Sequence, residues 1–206
     1  IYEESGSGLH IKLSLHRDHT NVFKCDEQGL SSEARSFIAG VLRHAGEMAV
    51  FLNPLTNSYS RLTAEDGLKQ IAWSYHNLSQ ILRVPTVCDD LAHLVLRSSD
   101  PSCNPYIVFA LVLRAGLEGI RNGYELSDEL FCGNIPSAAQ GEGKPLLLPS
   151  TLAEAISAAR DSEFLSAVLP ERLIDSYLAV KQEEWENYLS RTDKEMLERE
   201  MYFNII

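Results

Sequence analysis

The chain predicts an α+β fold: an antiparallel sheet covered by helices, followed by a helical C-terminal region. Three observations carry that expectation. Residues 9–15 alternate between apolar and polar side chains, as a strand with one buried face does. Residues 31–52 and 105–122 carry long apolar patterns of helical type. The order along the chain is strand, helix, short strands, helix, loop and then helices only, which suits a sheet built first and helices packed after it. At 206 residues this is one large domain or a piece of a larger protein.

Each element has its own reason. In residues 9–15, Leu9, Ile11, Leu13 and Leu15 share one face, and His10, Lys12 and Ser14 the other, so the strand has a polar working face. The helix expected over 31–52 can be capped by Ser31 or Ser32. Its stripe is Ala34, Phe37, Ile38, Val41, Leu42, Ala45, Met48, Ala49 and Leu52, and Asn53-Pro54 stops it. Residues 70–75, 79–84 and 91–97 read as short strands; in the last, Ala92, Leu94 and Leu96 oppose His93, Val95 and Arg97. Pro105 suits the first turn of a helix running to about 122, with Gly123 as its stop. That helix is apolar all round from Tyr106 to Leu113, which predicts deep burial. Residues 123–150 are rich in Gly, Pro and Ser and read as a long loop. Thr151…Glu154 and Thr192…Glu195 each match a capping box. Between them Pro170 opens a long helix that presents Leu173, Tyr177, Trp185 and Tyr188.

Composition narrows the function. A net charge of −11 and a pI near 5.0 argue against nucleic acid as a partner, since that needs a basic patch. No apolar run is long enough to span a membrane, so no membrane role is expected. Cys25, Cys88, Cys103 and Cys132 include no C-x-x-C pair, and are read as free thiols of a reducing, cytoplasmic protein. The chain opens Ile1-Tyr2-Glu3-Glu4, without an initiator Met or a leader-like region, and so reads as a fragment or processed product.

Several motifs occur in order: GSGLHIKLSL over 6–15, FIAGVLRHA over 37–45, NPLTNSYSRL over 53–62, AWSYHNLSQILRVP over 72–85, SSDPSCNPY over 98–106, AGLEGI over 115–120 and SYLAVKQEEW over 176–185. Together they resemble the C-terminal part of the glutamine synthetase catalytic domain, across 1–206. The resemblance implies a partial half-barrel sheet, with the family's N-terminal β-grasp domain and first catalytic strands absent. In that family ATP phosphorylates the glutamate side chain and ammonia displaces the phosphate, at divalent cations, in sites formed between neighbouring subunits of a ring. Arginines neutralise the transferred phosphoryl group and clamp the amino-acid carboxylate.

Carried over position by position, the resemblance gives His10 as a metal-binding position. Gly6, Gly8, Arg61 and Arg97 fall at substrate-side positions, and Lys12, Ser14, His76 and Arg83 at nucleotide-side ones. Lys12 can equally be a solvated lysine, and Arg61 and Arg97 can equally be structural ion-pair residues. The departures are sharper. Val95 stands where the family has a metal-binding glutamate. His76 and Leu78 replace two arginines, and His93 replaces another. The flap after Arg61-Leu62 is replaced by Thr63-Ala64-Glu65-Asp66-Gly67-Leu68, where Glu65 or Asp66 could stand in for its catalytic glutamate or be a solvated acidic loop. These losses predict a degenerate domain with a binding, structural or regulatory role. The alternative is an active ATP-dependent glutamate–ammonia or glutamate–amine ligase, completed by upstream sequence or neighbouring subunits. No cofactor is expected for this chain alone, and Mg2+ or Mn2+ with ATP if the family activity persists. Self-association or a complementary chain is the expected partner, with glutamate and ATP as possible ligands.

Overall fold

The structure is a computed structural model and describes residues 6–25, 29–64, 67–77, 79–87, 89–128 and 146–203. The elements run β1 Leu9–Leu13, β2 His16–Arg17, β3 Thr20–Asn21, α1 Ser32–Arg43, α2 Ala45–Leu52, α3 Ser58–Thr63, β4 Gln70–Ser74, β5 Gln80–Arg83, β6 Leu94–Ser99, α4 Pro105–Asn122, α5 Leu152–Arg160, α6 Glu163–Val168, α7 Glu171–Ser190 and α8 Lys194–Tyr202. The class is α+β, as expected.

The four-stranded sheet has the order β1-β6-β5-β4. β1 and β5 both run antiparallel to β6, but β4 and β5 are parallel, so the sheet is mixed where an antiparallel one was expected. Apolar periodicity carries no strand direction. After β4, Ser74 Oγ accepts the amides of His76 and Asn77, and Asn77 Oδ1 accepts the amide of Ser79, before β5 runs parallel to β4 with no hairpin between them. The outer edge of β4 is covered by the segment around Leu147, through Ile71 N–H to Leu146 O and Leu148 N–H to Lys69 O. Among the described residues, β1 pairs only with β6 and its other edge is open.

The helices pack on the apolar face of the sheet. Ile11, Trp73, Leu82, Leu94 and Leu96 share one core with Phe37, Ile38, Val108, Leu111 and Val112. α1 crosses α4 where Gly40 and Gly119 meet backbone to backbone. The expected helix over 31–52 is two helices, broken at His44. There the imidazole lies between Glu47 (Nδ1, 3.0 Å) and Glu118 (Nε2, 3.1 Å) and stacks on Phe164 at 4.0 Å. α4 begins at Pro105 and stops at Gly123, in the left-handed region (φ 62°), as expected, and Asn104 Oδ1 caps its front. Its burial is not as predicted. Tyr106, Phe109, Leu113 and Leu117 are exposed, because α1 covers one side of the helix only. Thr151 caps α5 as expected, whereas α8 is capped by Asp193 rather than Thr192. Most of the expected loop, residues 129–145, lies outside the described residues. Cys25 is disulfide-bonded, which overturns the expectation of four free thiols; Cys103 is free and buried.

Candidate functional site

The polar face of the sheet collects most of the expected site residues. β1 alternates as its sequence requires, with Ile11 buried and His10 and Lys12 exposed. The register sets Lys12 opposite Val95, Val95 opposite Arg83, and Arg83 opposite Ser74. Directly opposed residues share a face. Val95 therefore sits between two cations, at the position where the motif would have placed a metal-binding carboxylate.

One residue further along, β1 is irregular between Leu9 and Ile11 as it pairs with β6. Here three basic groups converge. Burial lowers the pKa of His10 below its ordinary 6.5, and the charges of Arg97 and Arg61 lower it further. Arg97 is depressed by burial and by the charge of Arg83. Arg61 arrives from α3, half-buried; burial lowers its pKa and the charge of Asp100 opposes that shift. Its Nη2 donates to Asn53 Oδ1 and to Ser98 O, both at 2.9 Å. Its buried Nε has no hydrogen-bond partner.

The glycines of the opening motif lie against this arginine. A Cβ on Gly6 would sit 3.1 Å from the Arg61 side chain, and one on Gly8 would sit 3.3 Å from its Nη1. Close approach, rather than a special backbone angle, is the use of glycine here. His10, Arg61, Arg97, Gly6 and Gly8 thus form one cluster.

The expected nucleotide-side residues are dispersed. Lys12 and Ser14 belong to the β1 edge, and Arg83 is central. His76 lies just past β4, at the opposite edge of the sheet and about 14 Å away by strand spacing. His93 Nδ1 donates to Leu91 O (2.8 Å), just before β6. Glu65, Asp66 and Leu78 lie outside the described residues.

The donor set does not suit a hard divalent cation. Mg2+ and Mn2+ favour carboxylate and water oxygens, and His10 is surrounded by arginines. No group of three His, Cys, Asp or Glu placed to hold a metal occurs among the described residues.

Sequence reasoning missed Asn53, Ser98 and Asp100, which fix and balance Arg61. Asn53 reads only as a helix stop, and the role of the Ser98 carbonyl has no side-chain signal. It also missed the buried tyrosine contact on the α2–α3 turn, where Tyr202 meets Thr56.

Comparison with known proteins gives a consistent answer. The family model described as glutamine synthetase, catalytic domain, matches residues 1–202. A glutamine synthetase of Clostridium saccharobutylicum is 37% identical, covering 99% of this chain and 47% of the relative. One from Methanosarcina mazei is 36% identical, covering 91% of this chain and 43% of the relative. A solved structure described as apo GmaS without ligand superposes with a TM-score of 0.79 at 29% identity, covering 99% of this chain and 46% of that one. The chain spans about half the length of the curated relatives it matches.

Proposed function

The chain belongs to the glutamine synthetase catalytic-domain family, and we propose that it keeps a carboxylate-binding corner of that family's site without a working ligase. The observation that carries this reading is the cluster itself. Arg61, Arg97 and His10 converge beside two glycines, while Val95 stands between Lys12 and Arg83. Such a face attracts an anion and repels a cation.

In this reading Arg61 is the principal contact for the carboxylate of glutamate. Asn53 and Ser98 hold one side of its guanidinium, and Nε remains unpaired. Arg97 adds charge, and His10, whose pKa is lowered by burial and then by the two arginines, adds a hydrogen bond. Phosphoryl transfer would need cation ligands and arginines that Val95 and His76 do not supply. The role is therefore binding, structural or regulatory, and the open edge of β1 is where a second copy or a complementary chain would pair.

Calorimetric titration with L-glutamate tests the binding. Loss of a charge-assisted contact in Arg61→Ala is expected to weaken it roughly 10- to 100-fold. Unchanged affinity in that variant would refute the site. A phosphate-release assay with glutamate, ammonium, ATP and Mg2+ or Mn2+ should give no glutamate-dependent turnover; a rate near 1 s−1, about the low end for enzymes, would mean that the ligase is intact. Light scattering at high concentration should show association, and a clean monomer would count against pairing at β1.

A further inference from the structure

We propose that Tyr202, at the end of α8, is a positioning residue for Arg61: its hydroxyl locks the turn between α2 and α3 that sets the guanidinium in the site. The proposal rests on the reading of Arg61 as the carboxylate contact.

α8 is a polar, largely exposed helix that buries only Leu197 and Tyr202. The hydroxyl of Tyr202 lies 3.1 Å from the backbone N of Thr56, 3.0 Å from Thr56 Oγ1 and 2.5 Å from Glu184 Oε1. A phenol has one proton and two acceptor positions. The Tyr202 hydroxyl donates to Glu184 Oε1, while Lys181 Nζ donates to Glu184 Oε2 at 2.8 Å, with both of those side chains nearly buried. Both lone pairs then face Thr56, which donates its amide N–H and its hydroxyl. The hydroxyl is fully used, and two-thirds of its bonding is spent on one turn residue that lies 146 positions away in sequence.

That turn carries the site arginine at both ends. Asn53 begins it and accepts Arg61 Nη2, while Ser58, which exchanges bonds with Leu55, begins α3 and so places the Arg61 backbone. Thr56 stands between them. Its buried amide has no helix or strand partner, and Tyr202 is the acceptor it uses. Removing one oxygen atom at the end of α8 therefore frees the middle of the turn on which Arg61 depends. Glu184 reaches the same region, since its charge also acts on Tyr59 of α3.

The test uses Tyr202→Phe in the 206-residue chain, which keeps the ring and its packing, and Thr56→Val with Thr56→Ser as the conservative counterpart. In Y202F the Thr56 amide should exchange with solvent about tenfold faster or more, because a buried donor has lost its acceptor. Amides in the middle of α4 should not change. The guanidinium proton resonances of Arg61 report its placement independently of any ligand, because Nη2 donates to Asn53 Oδ1 and to Ser98 O. In Y202F and T56V those resonances should shift, and glutamate affinity should fall several-fold; T56S should behave as wild type. Unchanged exchange at Thr56 overturns the lock. Faster exchange with unmoved Arg61 resonances and unchanged affinity overturns the positioning role and leaves Tyr202 as an anchor for α8. If wild type binds no glutamate, the carboxylate reading fails, and the Arg61 resonances still decide whether Tyr202 positions Arg61.

Discussion

Gly119→Ala adds one methyl group where α4 crosses α1, and the structure leaves no place for it. The new Cβ would lie 2.0 Å from Ser36 O and 2.9 Å from the backbone N and Cα of Gly40, whereas ordinary contact begins at 3.4 Å. The obstructing atoms are backbone, so no rotamer change relieves the clash. The helices must separate by about 1.4 Å, the difference between 3.4 and 2.0 Å. A gap of 0.5–1 Å already forfeits roughly a quarter to a half of each dispersion contact. Phe37, Ile38, Val41, Val108, Leu111 and Val112, all but fully buried beside the crossing, would lose contacts together. Overpacking of this kind costs about 1–3 kcal/mol, and the rigid obstacle argues for the upper end. Alanine returns up to about 1 kcal/mol through its helix propensity. The net expectation is a loss of about 2 kcal/mol, or a Tm lower by roughly 4–8 °C for a chain of this size. Gly46→Ala is the matched control. It lies in α2 with nothing within 4 Å of its Cβ, so the propensity gain of about 0.5–1 kcal/mol should appear alone. Urea and thermal unfolding of the two variants measure the difference. A G119A protein as stable as wild type would refute the claim that the α1–α4 distance is fixed by these glycines.

Two other perturbations separate electrostatics from packing. Burial alone would raise the Glu118 carboxyl, but hydrogen bonds from Tyr124 and His44, with the charges of His44 and Arg114, hold it below its ordinary value of 4.5. Its contribution is therefore fully present above pH 4.5 and is lost as pH falls through the depressed folded value. Glu118→Gln should lower Tm by a few degrees at neutral pH, from about 1 kcal/mol for a partly exposed pair, and the gap should close below pH 4; a gap that widens in acid would reverse the argument. Val95→Glu restores a carboxylate at the expected metal position, yet Lys12 and Arg83 face it from both neighbouring strands. Water-relaxation measurements with Mn2+ should show no site tighter than about 1 mM, the range of weak sites; tighter binding would mean that one side chain had disabled the site.

The parts of this molecule legible in the sequence are those fixed by neighbours in the chain. The alternation of His10 and Lys12 against Ile11 and Leu13 needs only the two-residue period of a strand, and it is reproduced. Pro105 and Gly123 mark the ends of α4 because helix starts and stops are local. What fails is set by distant partners. The apolar pattern of α4 shows which side chains dislike water but not which neighbour covers them, so Tyr106 and Phe109 are exposed against expectation. At the break His44 meets Glu118 from far along the chain, and the parallel run of β4 beside β5 is a direction that hydrophobic periodicity cannot encode.

The same division runs through the site. The motifs single out His10, Arg61 and Arg97 far apart along the chain; the pairing of β1 with β6 brings the first and last near each other, and α3 brings in Arg61. What aims Arg61 is less visible: a side-chain amide, a backbone carbonyl and a turn held from the C-terminal helix. A guanidinium kept in place by three different elements is sensitive to changes in any of them. Substitutions at Asn53, Thr56 or Tyr202 should therefore resemble loss of Arg61 in ligand affinity more than their distance from the ligand suggests. Substitutions at Lys12, which faces solvent on the outermost strand, should alter affinity only through long-range charge and fade as salt is raised. A titration of glutamate binding against ionic strength, run on both classes, distinguishes a positioned arginine from a diffuse basic face.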